Sequence, residues 1–359
     1  MMTVYDVAII GAGPAGATFA RELAKSGSKL KILLVNGTPN DGEKMCGGLL
    51  SPDAQEVFAK FNLTLPKDVL VDPQIFAVDT IDLETKQVRL YQRHYLNMNR
   101  GRFDAHLISL IPDTVTIING KCEKIEESDN GYSLKVKTDN GSLVFQSRSI
   151  VGADGANSIV RRTFFKVKTP KYVSIQQWFE CDNNDLPHYS CIFDKKTSDS
   201  CSWTIRKDKY YIFGGAFDAK NCREAFDEQK ARFENFIGFD LGEPVKTDAC
   251  LLSTPRKLGD IVLGKPNVYL IGEAAGFISS SSFEGISSAM ISGKLLADAY
   301  AEAKNHKSIF KTYKHNSLKL RLKLYTKMKK RWVLCSPLLR YFIMKSGITS
   351  VEKYSEGNK

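Results

Sequence analysis

At 359 residues the chain is long for a single hydrophobic core, and with 43% hydrophobic and 25% charged residues it has the composition of a folded globular protein, not a disordered one. No run of about 18 uncharged apolar residues occurs, which excludes a membrane-spanning helix. The eight cysteines form no CxxC pair and the five histidines show no ligand spacing, so no metal is expected.

The net charge of +11 is local: Lys304 to Lys345 holds thirteen Lys or Arg and no Asp or Glu, which leaves about −2 for the remainder. A solvated helix face or an anionic membrane surface accounts for such a run better than nucleic acid, which is not expected as a partner. Val4 to Ile10 has no basic leader and carries Asp6 before a glycine turn, so it reads as a buried strand and not as a secretion signal. Reduced thiols and a cytoplasmic location follow as expectations.

In chain order, Tyr5 to Ile10 predicts a strand, Ala15 to Lys25 a helix and Leu30 to Val35 a second strand, together a βαβ unit. Pro73 to Leu83 and Gln87 to Tyr95 alternate as a hairpin, Phe103 to Leu110 is helical, and Val115 to Ile118 is again a strand. Asp129-Asn130-Gly131 and Asp139-Asn140-Gly141 mark turns of a β-meander between Lys121 and Phe145, before Ser149 to Val151 returns to the parallel sheet. Tyr172–Glu180, His188–Phe193, Ser200–Arg206 and Tyr210–Gly214 predict an antiparallel, aromatic-rich set. Asn221 to Ile237 is helical, Val268 to Ile271 a buried strand and Gly285 to Ala303 a long helix. Ser308 to Arg331 lacks Gly and Pro and predicts a helix by its length, although Leu318 to Leu324 alternates like a strand.

Gly11-Ala12-Gly13-Pro14-Ala15-Gly16 lies between the first strand and helix, where glycines allow a tight turn and let the backbone approach a pyrophosphate at the helix N-terminus. The second strand ends at Val35-Asn36, where a ribose-binding acid is expected; the Asn36 amide oxygen can accept from a ribose hydroxyl without a carboxylate's charge assistance. This unit points to FAD or NAD.

Two later segments, Gly152-Ala153-Asp154-Gly155 through Arg162 and Leu270-Ile271-Gly272-Glu273-Ala274-Ala275-Gly276, resemble the GADG and GD segments of flavoprotein hydroxylases and reductases. With them the chain resembles the geranylgeranyl-reductase-type flavoproteins over nearly its whole length, most closely their CbrA-like branch. The resemblance implies FAD, held by Gly11, Gly13, Pro14, Ala15, Gly16 and Asn36, by a flavin loop Met45-Cys46-Gly47-Gly48, and by Arg100, Cys122, Asp154 and Gly272. It also implies that Glu273 replaces an Asp that binds the ribityl chain, and that Gly285 and Ile286 open a helix toward flavin N1 and the C2 oxygen, following Ser279 to Ser282 where the family has Asn-Pro. The aromatic motif of the reductases corresponds to Cys201-Ser202-Trp203-Thr204-Ile205, of which only Trp203 is retained; Cys201, Trp203 and Ile205 are the expected substrate-cavity residues. Cys46, a thiol under the isoalloxazine, is the candidate proton donor, with simple packing as the alternative.

The expected fold is α/β: an FAD-binding Rossmann-type domain of the hydroxylase-like fold (1–70, 96–168, 256–304), an interleaved antiparallel substrate domain (71–95, 169–255) and a basic helical C-terminal element (305–359). The expected function is an FAD-dependent oxidoreductase reducing carbon–carbon double bonds of an apolar, isoprenoid-like small molecule or lipid, with a flavin monooxygenase or a non-catalytic flavin-bearing binding or membrane-stress factor as alternatives. The sequence contains no second Rossmann fingerprint, so the electron donor is expected to be transiently docked NAD(P)H or a reduced carrier protein. Two arrangements compete for the C-terminal element. Its lysines could hold the protein peripherally at the inner face of the membrane, or Trp332, Leu338, Leu339, Tyr341 and Phe342 could pack on the substrate domain as a lid.

Overall fold

The computed structural model describes residues 3–37, 45–129, 131–303 and 305–354. Asn130 of the first meander turn and Lys304 of the basic run therefore lie outside the described residues. The single strand expected at the start is two. Asp6 interrupts it, its carboxylate accepting from the Lys31 amide and from Arg148 Nη1, each at 2.8 Å. Val4–Tyr5 then runs parallel to Gly141–Ser147 at the edge of the meander, whereas Val7–Ile10 enters the parallel sheet.

That sheet has the order Gly264–Lys265, Val268–Leu270, Ile150–Gly152, Val7–Ile10, Ile32–Asn36, Val115–Asn119, and only its first pair is antiparallel. Val7 to Ile10 and Ile32 to Val35 are all buried, as unbroken Val/Ile/Leu runs must be when both faces of a sheet are covered. Helix α1 (Pro14–Lys25) follows the first parallel strand. Ser51 caps α2 (Pro52–Lys60) through Ala54 N, and Asn99 caps α3 (Arg100–Ser109) through Arg102 N, each satisfying an amide that the helix itself cannot. The short α4 (Ile159–Phe164) leaves the GADG turn.

A second, larger sheet runs Lys246–Ser253, Lys171–Glu180, Tyr210–Phe217, Cys201–Lys207, Tyr189–Phe193, Ile75–Asp82, Gln87–Asn97, Ser350–Val351. The expected hairpin and aromatic set are thus one sheet, joined by a parallel pairing of Tyr189–Phe193 with Ile75–Asp82. One face is covered by α5 (Cys222–Ile237), whose Phe226 and Phe233 meet Phe213 and Phe217 with ring centroids 5.5–5.8 Å apart. The other face looks toward the parallel-sheet domain, and this is what positions the site.

The second of the later glycine-rich segments forms the short helix α6 (Gly272–Ala275), and α7 (Ile286–Glu302) follows it. Beyond them the expected single helix is two, α8 (His306–Asn316) and α9 (Leu318–Cys335), which meet at buried Ser317. Its hydroxyl donates to Lys314 O, a local bond that competes with the helix ladder, while Tyr313 is anchored behind it by donating to Leu270 O at 2.9 Å. The alternating leucines are resolved by helical geometry: Leu320, Leu324 and Met328 are buried, and Leu318 and Leu322 face out at 47% and 49% exposure.

Pro337 cannot continue a helix ladder, so α9 ends and α10 (Pro337–Ser346) begins. Helix α10 packs through Arg340 and Met344, Arg340 Nε meeting Asp82 Oδ2 at 2.7 Å with both side chains buried. Of the five side chains expected to pack as a lid, Leu339 and Tyr341 are half-buried, whereas Trp332, Leu338 and Phe342 are 72%, 65% and 58% exposed, because the helix is anchored to the sheet by Arg340 and Met344. No helix among the described residues is long and apolar enough to cross a membrane.

Candidate functional site

The three fingerprint glycines answer to three different demands. At Gly11, φ is +104° and a Cβ would lie 2.5 Å from Ala153 O; at Gly16 a Cβ would lie 1.9 Å from Gly11 O, so helix and turn could not close. At Gly13 a Cβ would meet nothing within 4 Å, so the space before the α1 N-terminus is open. Tight turn, open approach and close helix packing are what a dinucleotide pyrophosphate requires of these positions, and the cradle fits that group. Pro14 begins α1 at N1 and Ala15 is buried behind it. Asn36 closes the second parallel strand, its amide nitrogen donating to Asn119 Oδ1 at 3.0 Å.

The late segments converge on the same cradle. Ala153 N donates to Ile10 O at 2.8 Å, which sets the GADG turn beside Gly11. Asp154 Oδ2 accepts from Ile159 N at 2.6 Å, and its Oδ1 is buried with no partner among the described residues. Burial pushes this carboxyl upward in pKa against several hydrogen bonds. The Cys122 thiol is likewise pushed up to about 12, by burial first and then by Asp154, so it stays protonated beside the cradle. Arg161 ties the two segments together, donating to Ala274 O at 3.0 Å and Asp260 O at 2.8 Å, a role the sequence reading did not assign.

Gly272, at φ +56°, donates its amide to Ser292 Oγ at 2.9 Å. Glu273 Oε1 accepts from Ser253 N at 2.8 Å, so its carboxylate bridges to the edge strand of the larger sheet. Glu284 accepts from Ser287 N and Oγ, each at 2.8 Å, and caps α7; Gly285 is the N-cap and Ile286 the first helical residue.

Across from the cradle, the loop carrying Cys46, Gly47 and Gly48 is clamped between α3 and the sheet. The Arg100 guanidinium is buried against Asp104 and the Cys46 thiol; burial opposes its charge, but these two partners more than offset that, and its pKa is raised. Gly48 N donates to Cys46 Sγ at 3.4 Å. Strand alternation puts Cys201, Trp203, Ile205 and Lys207 on the face that looks at this loop. Cys201 contacts Ser281 O at 3.8 Å, and a Cβ on Gly47 would lie 2.7 Å from Ile205 Cδ1 and 3.9 Å from Trp203 Nε1. Lys207 Nζ is buried and donates to Asn97 Oδ1 at 2.6 Å, Met98 O at 2.8 Å and Gly48 O at 3.2 Å.

Between loop and sheet opens a cavity of about 480 Å³, whose walls include Cys46, Met98, Arg100, Gln176, Trp178 and Lys207. Trp203, Cys201 and Ile205 are not among its lining residues; the indole stands one layer behind, with Nε1 3.4 Å from Gln176 Oε1. Gln176, Trp178 and Lys207 were missed by the sequence reading. The signal for Lys207 was its parity with Trp203 and Ile205 along one strand; Gln176 and Trp178 likewise share a parity within Lys171–Glu180.

Residues 6–179 match the family model described as lycopene cyclase protein. The chain is 43% identical to protein CbrA of Escherichia coli O157:H7, over 99% of this chain and 100% of that one, and equally to protein CbrA of Shigella dysenteriae serotype 1. Among solved structures it is similar to a geranylgeranyl bacteriochlorophyll reductase-like protein from Thermoplasma acidophilum, with TM-score 0.80 at 18% identity, covering 99% of this chain and 98% of that one. A p-nitrophenol 4-monooxygenase from Pseudomonas putida superimposes with TM-score 0.69 at 14% identity, over 97% and 94% of the two chains. These two likenesses establish a shared fold.

Proposed function

The chain belongs to the CbrA family, and on that premise we propose that it is an FAD-dependent oxidoreductase that reduces carbon–carbon double bonds of an apolar, isoprenoid-like substrate. Its fold is shared with flavin-dependent enzymes, and the glycine cradle, Asp154 and the α7 N-terminus are the residues that would hold FAD. When bound and reduced, FAD supplies a hydride. The chain's own part is to orient the alkene, exclude water and deliver one proton, so that the product gains two hydrogens.

The observation that carries this reading is the thiol of Cys46 in the cavity wall with the Arg100 guanidinium against it. Cys46 donates its proton to the carbon that does not receive hydride, Arg100 balances the negative charge left on sulfur, and solvent returns the proton. Trp203 and Ile205 hold the loop from behind. The half-polar lining, with Arg100, Gln176 and Lys207, favours a second reading, hydroxylation of a small aromatic molecule.

Cys46→Ala and Cys46→Ser variants test the assignment. Both should bind flavin and accept electrons, and the alanine variant should reduce substrate slower by about 10²-fold or more. Unchanged turnover removes Cys46 from the mechanism, and substrate-dependent oxygen uptake replaces the reductase by the monooxygenase.

A further inference from the structure

Of the eighteen large hydrophobic residues exposed among the described residues, nine lie after Ser317, in little more than a tenth of the chain. Helix α9 is apolar on two sides: Leu320, Leu324 and Met328 face the core, while Leu318 and Leu322 are exposed on the far side and Trp332 is exposed one turn beyond Met328, between the two. Leu338, Phe342 and Ile343 continue the exposed set on α10, and Ile348 follows its C-cap.

The charges on these helices divide into two groups. Lys323 and Lys327 pair with Asp53, Arg331 with Asp199 and Arg340 with Asp82, which fixes the helices to the body of the protein. Lys319, Lys329, Lys330 and Lys345 are exposed and make no ion pair among the described residues.

A separate cavity of about 490 Å³ opens beside Trp332, with Arg256, Ser280, Lys329 and Arg331 in its lining. Asp199 is the carboxylate shared by Arg256 and Arg331, so the three cations exceed it by two charges. Ser280 Oγ and Arg331 Nε are both buried without a hydrogen-bond partner among the described residues.

We propose that the α9–α10 face docks on an anionic phospholipid surface, inserting Trp332, Leu338 and Phe342 and seating a headgroup phosphate in the cationic cavity beside Trp332. An apolar stripe flanked by lysines with no acidic residue from 304 to 345 matches such a surface in both of its terms, apolar depth and negative charge. A second copy of the chain is a poorer partner, because a two-fold contact would set lysines against lysines. The arrangement is independent of the reaction assigned to the flavin site.

Co-sedimentation of the flavin-loaded full-length protein with phosphatidylcholine vesicles, with and without phosphatidylglycerol, tests this. Binding should rise by about tenfold or more with the anionic lipid and fall as salt is added. The triple variant W332A/L338A/F342A and the double variant K329E/K330E should each lose binding while retaining flavin and melting temperature, since all five side chains are exposed. Equal sedimentation with neutral and anionic vesicles, no sedimentation at low salt, or full binding by the triple variant would overturn the proposal. So would a dimer in solution that the triple variant converts to monomer.

Discussion

Replacing Lys207 by Met keeps the length of the side chain and removes the ammonium that holds Gly48 O, Asn97 Oδ1 and Met98 O in one place. Hydrogen bonds to a charged donor contribute about 1.5–3 kcal/mol each, but they are not additive, and the variant no longer buries a charge. A net loss of about 3 kcal/mol is expected. With an unfolding entropy of about 2.1 cal/mol/K per residue, 359 residues give roughly 0.75 kcal/mol/K, so the melting temperature should fall by about 4 °C.

The consequence for function is larger than that shift suggests. Lys207 is the strut between the larger sheet and the loop bearing Cys46 and Gly47, so the lost energy falls on the loop conformation proposed to meet the cofactor. At 1.4 kcal/mol per tenfold, FAD affinity should weaken by up to about 10²-fold. Flavin fluorescence titration and denaturant unfolding measure both quantities. Stability within about 0.5 kcal/mol of the parent and affinity within about twofold would refute the strut.

Gly16→Ala should prevent cofactor binding and lower the yield of folded protein, because its Cβ would overlap Gly11 O at 1.9 Å; retention of flavin through purification would contradict the cradle geometry. Arg340→Ala should cost about 3–5 kcal/mol by leaving buried Asp82 with two backbone amide donors but no cation, and Asp82→Asn in the same chain should recover part of that, as read by denaturant midpoints. Burial raises the Asp199 carboxyl, but hydrogen bonds from Tyr172 and Arg331 prevail and hold it below the ordinary 3.8. Its contribution is therefore present above pH 3.8 and lost as pH falls through the lower folded value, so Asp199→Asn should flatten the stability profile below about pH 4.

The βαβ unit was legible because turn, helix start and apolar run are all local in sequence, and Gly11 and Gly16 each meet a separate steric demand while Gly13 leaves the approach open. The two meander turns were legible for the same reason. Non-local pairing was not: nothing in Val4 to Ile10 signals that Asp6 divides one strand between two sheets. Lys246–Ser253 was missed as a strand because it lies at the sheet edge: exposed and half-buried positions alternate from Thr247, but the residues filling them do not alternate polar and apolar, with Asp248 half-buried and Leu251 exposed. Lys207 was passed over because a strand lysine ordinarily points to solvent, and only the fold brings three backbone and amide oxygens around it. The break at Ser317 is likewise tertiary, set by where Tyr313 and Leu320 must both be buried.

Alkene reduction with flavin-held electrons has a direct readout. Purified protein should carry noncovalent FAD that heat releases into solution. Reduced without oxygen and mixed with an unsaturated polyprenyl lipid, it should reoxidise its flavin and give a product heavier by two hydrogens in the mass spectrum. Flavin that stays reduced with the lipid unchanged, while air brings substrate-dependent oxygen consumption and a product heavier by one oxygen, would contradict the account.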